Sequence, residues 1–412
     1  APFFLGDKNK SIAIREDELG DINSDWFHIE SESGGPYVSA LTVAPQRSTI
    51  GVCMRAEFLL DDLLKGLWFA AVLPLLCTTH TLNLSERQSP TTIVSPDSQF
   101  SSVVPALNWD NWRAGKWSSV AQSRVGVDDI IFQLGINIDG PLRSTQQFTI
   151  DCLLPVSDRP TGQYLFEPLV GSQGSFSLGG SVRAAVPLLR ISENCTLSYV
   201  NHLSYRYQFP TTQSRLFDLK GQPFSRFLVY MDTDLLPSIT NVAIKASNSP
   251  NFFLRDTTVR PGATGQTISA LRLTVAEKFT INGGYLYWWR TAEQLAFATP
   301  LDRTFAVPSP QGLSAGDSPA PVWLTGAQIT DGFSVLDRAI STSPAIVQDV
   351  EFDLDSGAMR QVDSHTIFVD FCGSFVGNMV SCNVRLGGGY EFGASPAILD
   401  SLHMWCGLGI TI

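Results

Sequence analysis

The stretch that decides the fold is residues 130–155. Residues 130–138 read IIFQLGINI, a turn follows at Asp139-Gly140-Pro141, and residues 147–154 read QFTIDCLL before Pro155. Alternating side chains point to opposite faces of an extended chain, and Gly and Pro mark the reversal between two such segments. The pattern predicts two neighbouring β-strands joined by a turn.

The same alternation recurs along most of the chain. It is found in residues 195–200, 203–209, 281–289, 350–354 and 365–371, and turn residues separate these segments at short intervals. Short strands without crossover helices are typical of all-β proteins rather than of βαβ units. The sequence therefore predicts an all-β fold.

One short segment shows helical spacing instead. Leu59, Leu60, Leu63, Leu64 and Leu67 share one helical face. Gly and Pro nearby limit the length, so we expect one or two turns of helix there.

Composition indicates a chain with a partly covered exterior. Of its 412 residues 44% are hydrophobic and 16% are charged, and the net charge is −11. An ordinary domain carries about 25% charged residues, so we expect neighbouring subunits to cover much of the surface. The negative charge excludes a protein that binds nucleic acid with its whole surface.

The cysteines and the apolar runs bear on three classes: disulfide-linked, zinc-binding and membrane-spanning proteins. Seven cysteines occur without any C-x-x-C spacing, which favours free thiols over disulfides or structural zinc. The longest apolar run, residues 67–77, is interrupted by Pro74 and falls short of the roughly 20 residues of a helical membrane span. We therefore expect a buried element there and no membrane span.

Short acidic and nucleophilic motifs do not assemble into a recognisable active site. Asp232-Thr-Asp234 and Asp353-Leu-Asp355 are interpreted as acidic turns, and Gly316-Asp-Ser318 lacks a suitably spaced histidine. The five histidines never occur at metal-binding spacing. We predict no enzymatic activity, no cofactor and no metal site.

Two aromatic clusters are the candidate contact residues. They are Trp109, Trp112 and Trp117, and Tyr285, Tyr287, Trp288 and Trp289. Flat rings can stack on a sugar or a base, and they are also common in cores and subunit contacts. Both interpretations stay open, with core or contact favoured.

The polar segment 1–40, the short strands, the low charge and the non-Met start Ala1-Pro-Phe-Phe together resemble a capsid (coat) protein of the picorna-like RNA viruses, most like those of insect viruses of the Nora virus type. The resemblance implies a jelly-roll β-sandwich, assembly with other capsid protein subunits into an icosahedral virion in the host cytoplasm, and weak direct contact with the enclosed RNA genome. The polar residues 1–40 predict an extended N-terminal arm with little core of its own, and turn formers at residues 246–262 predict a boundary near residue 250. With the resemblance, these become a jelly-roll shell domain (41–250) and a second β-rich domain or projection (251–412). The outer domain is a candidate contact for a host cell receptor.

Two alternatives remain. A carbohydrate- or receptor-binding β-sandwich would use the aromatic clusters and be a monomer. A β-rich hydrolase would need a cleft with two facing carboxylates.

Overall fold

The computed structural model describes residues 11–15, 22–27, 29, 36–96, 98–140, 144–220, 224–227, 229–232, 247–248, 250–299, 305–306, 352–376, 381–393 and 400–411. Over these residues the chain is all-β, which confirms the prediction from the alternating pattern. The helical turns are α1 (Val103–Ala106) and α2 (Pro250–Phe253), with 3-10 turns at Ser24–Phe27, Ser225–Phe227 and Leu354–Ser356.

The strands are numbered along the chain. They are β1 (Ser11–Arg15), β2 (Ile22–Asn23), β3 (Val38–Val43), β4 (Gln46–Leu59), β5 (Leu67–Thr81), β6 (Leu84–Gln88), β7 (Gln122–Val127), β8 (Ile130–Asp139), β9 (Thr145–Leu154), β10 (Ser177–Ser192), β11 (Cys195–Gln208), β12 (Thr211–Leu216), β13 (Asp218–Leu219), β14 (Val229–Asp232), β15 (Ser247–Asn248), β16 (Leu254–Arg260), β17 (Thr264–Val275), β18 (Phe279–Arg290), β19 (Gln294–Phe297), β20 (Phe305–Ala306), β21 (Phe352–Asp353), β22 (Val362–Val376), β23 (Ser381–Gly393) and β24 (Ser401–Thr411).

Twelve of these strands form one large, curled, antiparallel sheet, which we call the main sheet. Its order is β4-β5-β8-β9-β10-β11-β17-β18-β22-β23-β24, and β7 pairs with β5 beside β8. Each strand along this path lies next to its predecessor, so the sheet is a meander. Four smaller sheets have the orders β2-β1-β3-β6, β12-β16-β19, β13-β21 and β15-β14-β20.

The connections of the main sheet differ at its two ends. At one end they are short, at residues 60–66, 140–144, 193–194, 276–278 and 377–380. At the opposite end most are long, at residues 82–129, 155–176, 209–263 and 291–361, and the smaller sheets lie mainly in these connections and in residues 11–43. Each strand reverses the chain direction, so all the long connections leave from the same end.

The buried apolar core is built from these long connections and the N-terminal region rather than from the main sheet. We call it the connection core. Trp112 and Trp117 both contact Phe227, with ring centroids 5.7 and 5.9 Å away. Its other large buried side chains include Ile12, Ile14, Phe27, Ile29, Tyr37, Phe217, Phe253 and Phe352. Fully buried rings of this size supply much of the burial energy of a small core.

Residues 1–40 contribute more to the structure than an extended arm would. Ile12 and Ile14 of β1, and Phe27, are at most 1% exposed in the connection core. The expectation of an arm with little core is wrong for these residues, because β1 pairs along its whole length with β3.

The helix predicted over Leu59 to Leu67 is also wrong. β4 continues to Leu59, β5 begins at Leu67, and a turn joins them in which the Gly66 amide donates to Asp61 Oδ1 at 2.7 Å. Gly66 has a φ of 81°, a conformation that glycine adopts at little cost. Leu63 and Leu64 of this turn stay exposed, so no buried face exists to stabilise a helix.

The finer fold predictions have separate outcomes. The described strands show a single meander rather than the two-sheet Greek-key order of a jelly roll, so the jelly roll stays unconfirmed. The division at residue 250 also stays a prediction, and the main sheet continues across it because β11 pairs with β17 over twelve residue pairs.

Candidate functional site

One face of the main sheet is apolar and exposed, and we call it the apolar face. The strand register places Leu197, Leu273, Ile281, Phe371 and Leu386 in a single row across five neighbouring strands. The apolar face continues over all eleven strands of the meander path. Its exposed large side chains are Ile50, Val52, Met54, Phe58, Leu75, Leu134, Ile138, Phe148, Ile150, Leu154, Leu178, Val182, Tyr199, Leu203, Tyr205, Tyr207, Leu271, Val275, Phe279, Ile281, Tyr285, Ile367, Val369, Phe371, Phe375, Val384, Leu386, Tyr390, Leu402, Met404, Leu408 and Ile410.

Charged groups are nearly absent from this face. The described residues of these eleven strands place no Lys, Arg or Glu on it, and its one aspartate, Asp363, lies at an end of β22 beside Trp289. Side chains midway along its strands are well exposed, for example Leu386 of β23 at 60% and Met404 of β24 at 81%. A contiguous apolar surface of this extent marks a contact with another phase or molecule.

The size of the apolar face makes exposure to water costly. Withdrawing one Val, Leu, Ile or Phe side chain from water is worth about 1.5–3 kcal/mol. Covering ten of them therefore outweighs the roughly 5–15 kcal/mol that stabilises a typical folded domain. The molecule needs an apolar medium or partner on this side.

Aromatic side chains gather on the apolar face near the end that carries the long connections, and we call them the aromatic rim. They are Tyr205, Tyr207, Tyr285, Tyr287, Trp289, Tyr390 and Phe392. Tyr205 and Trp289 lie with ring centroids 6.1 Å apart, and His365 stacks on Phe392 at 5.4 Å and contacts Tyr285 through a hydrogen bond. Phenol and indole groups combine an apolar ring with a polar edge, which suits a boundary between apolar and aqueous surroundings.

The second predicted aromatic cluster is therefore split between two faces. Tyr285, Tyr287 and Trp289 point to the apolar face, whereas Trp288 alternates to the other face, opposite Gln266 and Ser364. The period of a strand makes this split unavoidable. The four residues do not form one stacking platform.

The first cluster lies in the connection core. Trp112 and Trp117 are each 1% exposed, and Trp109 packs edge-on against Phe100 at 5.6 Å. Of the two interpretations offered by the sequence, core packing describes these residues.

The opposite face of the main sheet, the polar face, carries a charged ladder. Arg272 Nε donates to Asn282 Oδ1 at 2.8 Å, and Asn282 Nδ2 donates to Asp370 Oδ1 at 2.6 Å. Arg385 Nε donates to the second oxygen of Asp370 at 2.9 Å. Asp370 is only 1% exposed, so both of its oxygens are satisfied inside the protein.

A second ion pair crosses a glycine on the same face. Arg206 of β11 donates twice to Asp151 Oδ2 of β9, at 3.0 and 2.7 Å. Gly179 of β10 lies between them, and a Cβ there would stand 2.9 Å from both carboxylate oxygens of Asp151. The absence of a side chain at Gly179 allows the pair to form.

A Ser, a His and a Glu also meet on the polar face, without the geometry of a nucleophilic site. Ser401 Oγ lies 2.8 Å and Glu391 Oε2 lies 2.9 Å from the same atom, Nε2 of His403. A catalytic relay needs the nucleophile and the orienting carboxylate on different ring nitrogens of the histidine. This cluster is a local hydrogen-bond network.

The acidic and nucleophilic motifs of the sequence either form a structural turn or lie outside the described residues. Asp353 accepts a hydrogen bond from the Asp355 amide at 3.0 Å, as expected of an acidic turn. Asp234 and the segment around Asp317 lie outside the described residues. Among the residues that the structure describes, no group of His, Cys, Asp or Glu is arranged to hold a metal ion.

No protein-family model and no curated protein matches the chain. Within the described ranges, no helix is both long and apolar enough to cross a bilayer.

The sequence analysis missed one functional feature: the main sheet has an exposed apolar face on one side and a charged polar face on the other. A signal was present, since Asp151, Arg206, Arg272, Asp370 and Arg385 each interrupt an otherwise apolar strand. Each sits at an alternate position beside apolar neighbours, so the strands could be recognised as having one apolar and one charged side.

Proposed function

We propose that the main sheet lies in a lipid bilayer, with its apolar face against acyl chains and its polar face along a water-filled path for small charged solutes. The observation that carries this proposal is the charge-free, exposed apolar face opposite a face with buried ion pairs. A protein surrounded by water alone has the reverse arrangement.

The extent of the apolar face favours lipid over a protein partner. It covers eleven strands without interruption, whereas a subunit contact is a patch with a polar rim on an otherwise polar surface. Acyl chains offer no hydrogen bonds, so a face that meets them must lack unpaired charges.

The lengths of the strands and the position of the aromatic rim both suit a lipid bilayer. The eleven strands have between 10 and 16 residues, and a tilted strand needs about 9–11 to cross the hydrocarbon layer. Tyr and Trp are enriched where acyl chains meet headgroups, which is the position that the bilayer would give to Tyr205 and Trp289.

The outer edges of the sheet set a further requirement. β4 and β24 each pair on one side only in the described part of the chain. Unpaired backbone groups are costly in lipid, so in the bilayer these edges would pair with each other or with the edges of a second copy.

The proposal departs from the expectation of no membrane span, which rested on the length needed by an apolar helix. The structural-subunit function predicted from the sequence stays a prediction, together with its jelly roll, its sister coat proteins, its genome and its virion location. It would require copies of this chain to cover the same apolar face. That arrangement is the alternative outcome of the test below.

The test is reconstitution of the full chain with phosphatidylcholine vesicles, followed by flotation in a density gradient. We expect the protein to float with the vesicles and to resist extraction at alkaline pH, because withdrawal would expose the apolar face. A lipid-free preparation in the same buffer serves as the control. Closed particles or defined oligomers without lipid, together with no flotation, would overturn the proposal and support a self-assembling subunit.

A further inference from the structure

We propose that His80 is a pH-dependent switch, which holds the connection 155–176 against β5 while its ring is neutral and releases that connection when the ring is protonated. The switch does not depend on the proposed function, because it lies where the long connections meet the end of β5.

One hydrogen bond joins the ring of His80 to this connection. Nδ1 of His80 lies 3.2 Å from the carbonyl oxygen of Phe166. A carbonyl oxygen only accepts hydrogen bonds, so Nδ1 carries the proton and Nε2 of the neutral ring carries none. The contact with Phe166 therefore selects one tautomer of the neutral imidazole.

The other ring nitrogen of His80 has no such contact. Nε2 is buried and has no hydrogen-bond partner in the described part of the chain. The side chain of His80 lines a small cavity whose other polar walls are Lys116, Ser118, Gln122 and Tyr164. The cavity volume of about 10 Å³ holds at most one water molecule. A proton added at Nε2 would thus be a buried donor without a protein acceptor, which is costly.

The cations around His80 oppose a further positive charge. Arg47 of β4 is the cross-strand partner of His80, so the two side chains are neighbours on the polar face. Lys116 lines the same cavity, with its ammonium 3.9 Å from the exposed carboxylate of Asp110. Burial lowers the pKa of His80, the charge of Arg47 lowers it further, and the hydrogen bond to Phe166 acts in the opposite direction.

The carboxylates of the connection are engaged by another cation. Residues 155–176 contain two acids, Asp158 and Glu167. Both pair with Arg124 of β7, which lies 3.2 Å from Glu167. Glu167 also accepts hydrogen bonds from the amides of Thr161 and Gly162, at 3.0 and 3.2 Å. A protonated His80 therefore gains no counter-charge from this connection.

Acid consequently favours withdrawal of the His80 ring. Because the pKa is lowered in the folded protein, the stabilisation by the neutral ring is complete above about pH 6.5, the ordinary value, and declines as the pH falls through the lowered pKa. Withdrawal breaks the bond to Phe166. The preceding residue, Leu165, donates its amide to the Lys116 carbonyl at 3.0 Å, so this amide reports the release.

The experiment measures hydrogen–deuterium exchange of the full chain at about pH 8 and about pH 5, corrected for the intrinsic exchange rate. The readout is protection of the Leu165 amide. His80→Asn keeps a side-chain amide donor and removes the titration. The matched control is His403→Asn, at an exposed histidine of β24 on the same face. NMR of labelled histidine rings gives the pKa of His80 directly.

We expect protection of Leu165 to fall in acid by about tenfold for each unit by which the pKa of His80 lies below its ordinary value. The fall should be absent in His80→Asn and unchanged in His403→Asn. Arg47→Gln should raise the pKa of His80 and make the fall smaller, a response that a purely structural role of His80 would not give.

Two results would overturn the switch: a His80 ring that titrates at or above its ordinary value, or a fall in protection that persists in His80→Asn. If circular dichroism shows that His80→Asn does not fold, the ring titrations of the wild type and of Arg47→Gln decide instead. Vesicle flotation does not enter this outcome, so the switch and the bilayer proposal are tested separately.

Discussion

The connection core and the main sheet bury opposite kinds of side chain within one molecule. In the connection core, Trp112 and Phe227 are at most 1% exposed. In the main sheet Asp370 is equally buried, while Leu402 is 75% exposed. Since both regions obey the same physical chemistry, the difference teaches that the connection core is covered within the molecule, whereas the apolar face has no cover among the described residues.

The largest expected effect is on the connection core. Trp112→Ala removes a fully buried ring that stacks on Phe227 at 5.7 Å, and the loss of packing should lower stability by about 3–5 kcal/mol. Thermal unfolding in lipid or detergent measures it. The control is Trp405→Ala on β24, a partly exposed position where a smaller loss is expected. Equal losses at the two positions would contradict the separation of the regions.

An arginine introduced on the apolar face should destabilise the inserted protein, whereas an arginine on a water-exposed surface should be tolerated. Leu386→Arg places a cation on the apolar face midway along β23, which should cost about 2–4 kcal/mol in lipid and reduce vesicle insertion. Ile93→Arg, at a 55% exposed site in the long connection 82–129, should be tolerated. The measurement is the fraction of protein that floats with vesicles. Normal flotation of Leu386→Arg would show that lipid does not contact this face.

The N-terminal part of the connection core should be sensitive to alkali. Burial and the neighbouring Glu86 carboxylate raise the pKa of Tyr37, whose hydroxyl donates to Glu86. The raised pKa means that the folded state favours the neutral phenol, so this contribution to stability is complete below about pH 10, the unfolded pKa, and declines above it. Unfolding measured between neutral and strongly alkaline pH checks this.

The matched variant for that measurement is Tyr37→Phe. It should cost about 1 kcal/mol at neutral pH because a hydrogen bond is lost, and it should flatten the alkaline dependence. An unchanged slope in this variant would assign the dependence to other groups.

The smallest expected effect lies at the short-turn end of the main sheet. Ala276 and Glu277 join β17 to β18 with φ values of 51° and 56°, a conformation that favours glycine. Glu277→Gly should therefore stabilise the protein by about 0.5–1 kcal/mol. Lys278→Gly, in the same turn without a positive φ, should give no gain. A rise in melting temperature for Lys278→Gly alone would contradict this account.

Much of the strand content was predictable from sequence. The alternating segments around residues 130–138, 147–154 and 281–289 correspond to β8, β9 and β18. The leucine spacing after Leu59 misled because five leucines in a hairpin mimic one face of a helix. In the structure they belong to two strand ends and an exposed turn.

The orientation of the faces was not predictable from alternation. A period of two identifies which residues share a side, and it is identical whether the apolar side is turned inward or outward. The position of Trp112 illustrates a second limit, because its burial depends on Phe27 and Phe227, which are distant in sequence. Spacing alone could not distinguish a core residue from a ligand platform there.

The unequal connections at the two ends of the main sheet also constrain how such a chain enters a bilayer. Only the compact hairpin tips, such as residues 193–194 and 276–278, would have to traverse the hydrocarbon, while the bulky folded segments remain behind. If the bilayer proposal holds, insertion would be directional, with the short connections as the leading edge and the long connections as the trailing edge.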